Sequence, residues 1–303
     1  MTNDEGQQKL ARLFILLAAL LWSTGGVFIK EISLDAWGIS FWRSGFAAAT
    51  IYSIYRIQRG KNISAERWLT PLTIMSAVCY AVLLVLFVLA TKLTTSANAI
   101  FLQYTAPVYV LFIEPLVTRT ARRRGDLWTV LISIAAMALF FIGRFEARSV
   151  WGNIAALASG VAFAAFAVLL KHERATQGSR WHIVILGHMM IAAAMGLMGL
   201  MGLIGPMSLT LASGDLIRLL YLGIVQIGLA YALFTFGISR VRAIDATLIA
   251  MVEPVLNPIW VYLGVGERPT NYAIVGGAII LCLSLFRTVR GATEEVESAR
   301  AGE

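Results

Sequence analysis

The sequence predicts an all-α membrane protein with ten transmembrane helices, arranged as two inverted-topology five-helix repeats around a central cavity. Three observations lead there. The 303 residues are 58% hydrophobic and only 14% charged, where an ordinary soluble domain carries roughly 25% charged residues. A soluble core of this size cannot hide so much apolar surface, but lipid can cover it. The apolar residues gather into ten runs, each near the ~20 residues that cross a bilayer as a helix. Finally, two stretches 147 positions apart align without a gap.

The first run, 10–29, follows a tail, 1–12, that mixes Asp4 and Glu5 with Lys9 and Arg12. That tail lacks a basic n-region, and no clean small-residue cleavage site follows the run. The run is therefore read as a retained helix rather than a signal peptide. The second run, 36–55, stops at Arg56, Arg59, Lys61 and Arg67. The third, 69–90, starts beside Trp68 and ends before Lys92; the fourth, 97–117, contains Pro107 and stops before Arg119, Arg122, Arg123 and Arg124. The fifth, 127–142, holds Trp128 near its start and is one of the two weakest. The sixth, 151–170, lies between Trp151 and Lys171, and the seventh, 181–203, starts at Trp181. The eighth, 216–237, precedes Arg240 and Arg242, the ninth, 244–264, holds Glu253 and Pro254, and the tenth, 272–285, is the other weak run. Tryptophans at run ends suit the membrane interface. The polar tail beyond 290 is expected to be disordered.

Charge gives the orientation. Eighteen Lys and Arg fall in one set of connections and five (Lys30, Lys92, Arg144, Arg148 and Arg268) in the other, with Arg43 and Arg218 inside or at the edge of runs. The positive-inside rule places both termini in the cytoplasm of a bacterial-type inner membrane. The net charge of +8 is thus a topology signal, not a nucleic-acid footprint. Cys79 and Cys282 fall in apolar runs with no disulfide or metal spacing and are expected to be small core residues.

The aligned stretches are LFVLATKLTTSANAIFLQYTAPV (86–108) and LFTFGISRVRAIDATLIAMVEPV (233–255). They share Leu86/Leu233, Phe87/Phe234, Ala99/Ala246, Pro107/Pro254 and Val108/Val255. A duplicated unit with an odd number of spans must enter the membrane upside down, an arrangement that places a site near the midplane between the halves. The expected parts are a tail, 1–12, a first five-helix repeat, 13–146, a second, inverted one, 147–290, and a tail, 291–303.

An ionised group at mid-span costs about 2.5–3.5 kcal/mol on insertion scales, so such groups face protein or water. Glu253 is roughly mid-span, where it can serve as a proton site, meet a substrate ammonium, or pair structurally within the bundle. Asn257 and Trp260 follow it at i+4 and i+7, on one helical face. Gln103 and Pro107 share a face in the fourth run, which makes Gln103 and Asn257 candidate polar anchors from opposite halves, or else interhelical hydrogen bonds. Trp22, Tyr80, Tyr104 and Trp260 are mid-span aromatics whose polar tips need a partner or a cavity. Pro107 and Pro254 are expected to kink their helices, as gate hinges or as packing bends.

Four segments carry a resemblance: LLWSTGGVFIK in the first run, FWRSGFAA in the second, YTAPV in the fourth and MVEPV in the ninth. With them, the chain resembles the EamA-type branch of the drug/metabolite transporter superfamily over residues 10–290, and most of all the YddG-type aromatic amino acid exporters. The resemblance implies a basket of helices with a cavity between its halves, lined mainly by spans one, three, four, six, eight and nine. It also implies export from the cytoplasm without ATP. Arg43 matches the Arg usual at its place in the family. It is expected to be a structural charge, salt-bridged or snorkelled, ahead of a substrate-carboxylate contact.

The expected function is a secondary transporter exporting small metabolites, foremost amino acids (aromatic and other apolar ones), by alternating access. The alternative is a different metabolite or drug on the same fold. No enzyme is expected: three histidines and no catalytic cluster argue against one, and no P-loop pattern occurs. A scaffold or receptor lacks an extramembrane domain. The expected partners are a small amino-acid-like solute and the lipid bilayer, with no nucleic acid, no cofactor and no metal; a monomer is one expectation, with oligomeric state left open.

Overall fold

Lipid as solvent turns the usual amphipathicity of a helix outward, and α4 (Pro71–Leu93) shows it. Thr70 caps it by accepting from the Thr73 N–H at 3.1 Å, and Pro71 opens the first turn, where a missing N–H leaves no helix bond unmade. Ile74, Val78 and Val82, one turn apart, face outward. Thr73, Ser76, Tyr80 and Phe87 are buried. The Ser76 hydroxyl donates back to Leu72 O at 2.7 Å, so this inward polar group is satisfied within its own helix. Ser40 and Thr91 do the same to Ala36 O and Phe87 O.

The computed structural model describes residues 3–59, 69–94, 96–119, 124–139, 150–171, 180–204 and 211–265, with isolated positions between 271 and 286. In chain order the other helices are α1 (Asn3–Trp22), α2 (Gly25–Glu31), α3 (Ala36–Arg59), α5 (Ser96–Gln103), α6 (Ala106–Thr118), α7 (Arg124–Leu139), α8 (Val150–Lys171), α9 (Arg180–Leu200), α10 (Ser213–Leu220), α11 (Ala230–Ile238), α12 (Ala243–Ala250) and α13 (Val252–Val265). A π-helical stretch, Tyr221–Leu229, joins α10 to α11. No strand occurs among the described residues.

Six stretches among the described residues are long and apolar enough to cross a membrane: Gly6–Glu31, Pro71–Leu93, Asn98–Thr118, Val150–Lys171, Arg180–Leu200 and Ser213–Ile238. The second run forms a 24-residue helix, α3, whose Ser40, Arg43, Ser44, Thr50 and Ser53 dilute its apolar content. The fifth run is described only as far as Leu139, and the tenth lies largely outside the described residues. The first, fourth and ninth runs, expected as single helices, are each broken in two. Cys79 is half-buried, but Cys282 is exposed rather than in the core.

Packing between the chain's two halves is reciprocal. α1 lies against α11, and α8 lies against α4; α1 also meets α12, and α8 meets α5; α3 packs on the π stretch, and α9 packs on α4. α3 and α9 pack on each other. A second reciprocity is chemical. Lys30, at the end of the first run, donates to Thr94 O at 2.7 Å, and Lys171, at the end of the sixth, donates to Val241 O at 2.8 Å. Thr94 and Val241 are themselves 147 positions apart.

Candidate functional site

The site is assembled from three broken helices. Between α1 and α2 the pair Ser23–Thr24 interrupts the helix, and the C-terminal half of the chain supplies bonds for the backbone so freed. Gln226 Nε2 donates to Trp22 O at 3.2 Å, and Asn257 Nδ2 donates to Ser23 O at 2.9 Å. Trp260 Nε1 donates to the Ser23 hydroxyl at 2.7 Å. The second break, at Tyr104–Thr105, separates α5 from α6, and the third, at Met251, separates α12 from α13. These two breaks lie at positions related by the 147 offset.

Pro107 and Pro254 do not bend continuous helices. Each sits in the first turn of a second helix, α6 or α13, where the N–H it lacks has no intrahelical partner to lose. The sequence marks the proline, but the break falls two to three residues before it.

Between the halves lies a cavity of about 30 Å³. Aromatic rings of Trp22, Phe87, Tyr104, Phe163 and Tyr231 form much of its wall, with Leu83, Leu84 and Ile227. Its polar groups are Arg43, Gln103, Gln226 and Glu253. The Tyr104 hydroxyl donates to Glu253 Oε2 across the two halves. Gln103 Nε2 donates to Ser159 Oγ at 2.6 Å, and that hydroxyl donates to Leu83 O at 3.0 Å. Gly160 makes this register possible, since a Cβ there would fall 2.7 Å from Gln103 O. Four buried polar atoms of lining residues have no hydrogen-bond partner: Trp22 Nε1, Arg43 Nε and Nη1, and Gln226 Oε1.

Polar contacts link the halves at both ends of the bundle. At one end the Ser33 hydroxyl and N–H donate to Asp215, and Arg218 Nε donates to Glu31 at 2.9 Å. At the other, Arg242 Nη2 donates to Asp126 at 2.6 Å, and Glu114 accepts from the N–H groups of Ala243 and Ile244 at 3.0 and 3.4 Å. Glu114 thus caps α12, where an acidic group also suits the helix dipole. Burial works to lower the pKa of Arg242, but its bond to Asp126 and the carboxylates of Asp245 and Glu114 outweigh that and raise it. About 30 Å³ accommodates a water or two, whereas small-molecule sites are ~300–1,000 Å³. This conformation therefore leaves no room for a small-molecule ligand at its centre.

The structure brings Trp22, Gln103, Tyr104 and Glu253 together on the cavity wall. Tyr80 stands behind them, edge-to-face with Tyr231 at 4.7 Å between ring centroids and with its hydroxyl 2.8 Å from His188 Nε2. Asn257 and Trp260 are engaged at Ser23 instead, and Trp260 is 37% exposed. Arg43 is neither salt-bridged nor snorkelled: it is 1% exposed and reaches no carboxylate among the described residues, because α3 buries it against Leu84 and the cavity. Sequence reasoning missed Gln226, Phe163 and Tyr231. Gln226 had a signal, as a lone amide in the apolar run GIVQIGLAY, the same signal that marked Gln103.

A family model described as "EamA-like transporter family" matches the chain twice, over residues 9–142 and 150–287. An "Uncharacterized transporter" of Archaeoglobus fulgidus is 28% identical over 271 residues, covering 88% of this chain and 92% of its own. "Uncharacterized transporter YwfM" of Bacillus subtilis is 26% identical, over 89% of this chain and 90% of its own. A solved crystal structure superposes with a TM-score of 0.75 at 20% identity, over 92% of this chain and 97% of that one, which is a likeness of fold.

Proposed function

The chain belongs to the EamA-like transporter family, and from that premise we propose that it is a secondary transporter exporting amino acids, aromatic and other apolar ones, across the inner membrane by alternating access. The observation that carries this reading is the cavity between the halves, walled by aromatic rings and lined by both Arg43 and Glu253. Trp22 and Tyr104 receive the apolar side chain, and Gln103 and Glu253 receive the polar end, with Glu253 meeting the ammonium. Tyr80 backs this wall, while Asn257 and Trp260 hold open the break in the first span.

Reciprocal packing and the twofold match of the family model support two inverted five-helix repeats, 13–146 and 147–290, in a ten-span body. The charge asymmetry of the connections supports cytoplasmic termini. In the cycle the halves rock about the cavity, and the helix breaks before Pro107 and Pro254 serve as hinges. Entry from the cytoplasm requires the Asp126–Arg242 end to part, and release requires the Asp215–Ser33 end to part.

Reconstituted flux tests this. Purified protein in liposomes should exchange labelled phenylalanine, tryptophan or leucine above empty liposomes. Repeating the assay under a pH gradient reads proton coupling. If no amino acid moves, while other metabolites in the same panel do, the substrate class is wrong and the fold carries a different cargo.

A further inference from the structure

Arg43 sits in the first third of α3, 1% exposed, in the wall of the cavity. Its Nη2 donates to Leu84 O at 3.3 Å, and its Nε and Nη1 donate to nothing. The carboxylate in the same wall, Glu253, takes the Tyr104 hydroxyl. The position is not slack. A Cβ on Gly223 of the π stretch would fall 2.9 Å from Arg43 O and 2.4 Å from Phe46 Cβ, so the backbone that carries Arg43 is pressed against its neighbour.

A buried guanidinium is costly unless it is paired. The unmatched atoms of the lining also have a sign. Three are donors (Trp22 Nε1, Arg43 Nε and Arg43 Nη1) and one is an acceptor, Gln226 Oε1. The unmatched atoms are mainly donors, two of them on Arg43, and a carboxylate is the small group that supplies several acceptors at once to a planar guanidinium. We propose that Arg43 docks the carboxylate of the transported solute, so that a free carboxylate is required of every substrate. This rests on the amino-acid reading above and adds the group that reads the acid end. An amine without the acid leaves the same donors unmatched and is rejected, as sites built to bind a polar group reject analogues that lack it.

The test is competition against labelled L-phenylalanine on the full-length protein in detergent and in liposomes, using 3-phenylpropionate, phenethylamine and L-phenylalaninamide. On the wild type, 3-phenylpropionate should compete, and the two probes without a carboxylate should be at least about 30-fold weaker than phenylalanine, the lower bound for losing one partner of a buried charged pair. Arg43→Gln should weaken phenylalanine by a similar factor and leave phenethylamine unchanged. If Arg43→Gln does not fold, Arg43→Lys keeps the charge but not the fork, and should still lower phenylalanine relative to phenethylamine. A variant that keeps the preference for the acid, or loses all probes alike, overturns the role of Arg43 while the amino-acid reading stands. With labelled 3-phenylpropionate added as a direct ligand, a wild type that takes it through Arg43 but takes no amino acid overturns the amino-acid reading and keeps this one. Binding of none of the four overturns both.

Discussion

Tyr104 and Glu253 come from opposite halves of the chain and share one hydrogen bond, so they separate a structural from a functional role. Tyr104→Phe leaves a buried carboxyl group without that donor and should destabilise the protein by ~1–3 kcal/mol, read as a lower thermal midpoint in detergent. Glu253→Gln keeps an acceptor for the Tyr104 hydroxyl but loses the group that can ionise to meet an ammonium. Its midpoint should stay near that of the wild type while exchange of phenylalanine falls at least tenfold. Equal loss of stability in both variants would reduce Glu253 to a packing residue. Glu253, Gln103 and Trp22 were legible from sequence because a polar group in an apolar run is conspicuous. The surroundings of Arg43 were not. Its distance from any carboxylate is set by how α3 meets α4 and the π stretch, and no local pattern encodes that.

Helices were legible as apolar runs, but their interruptions were not. The break after Trp22 is stabilised by Gln226 and Asn257, more than 200 positions away in the chain. A reader of the sequence sees Ser-Thr-Gly-Gly but not the donors that make stopping there affordable. Contact between α3 and the π stretch depends on glycine in the same hidden way. Gly223→Ala should cost about 1–3 kcal/mol by overpacking against Phe46 and the Arg43 backbone. Gly45→Ala, on the same α3 but with nothing within 4 Å of the added carbon, should be neutral or stabilising by up to ~1 kcal/mol. Comparing midpoints of the two variants checks this; similar losses would mean that the close approach is not what holds α3.

On the scale of the whole molecule, the ion pairs at its two ends differ in strength. Asp126 is 1% exposed in its pair with Arg242, while Glu31 and Arg218 are 40% and 35% exposed. Hydrogen bonds to charged groups are worth ~1.5–3 kcal/mol when shielded, but exposed pairs only ~0–1 kcal/mol. Asp126→Asn should therefore raise labelling of Leu83→Cys by an impermeant thiol reagent at least about tenfold, from the Arg242 side only, in a background with Cys79 and Cys282 replaced by Ala. Glu31→Gln should change labelling little from either side; a large rise there would invert this ranking. The lysine contacts, Lys30 to Thr94 O and Lys171 to Val241 O, have a different bearing because each lies inside one half. A strap of that sort welds the far tip of an opening span to the elbow where its own third and fourth spans meet. Any swing that exposed the centre would then carry tip and elbow together, so that the seam between the halves, and not the join within either, is where such a movement would be felt first.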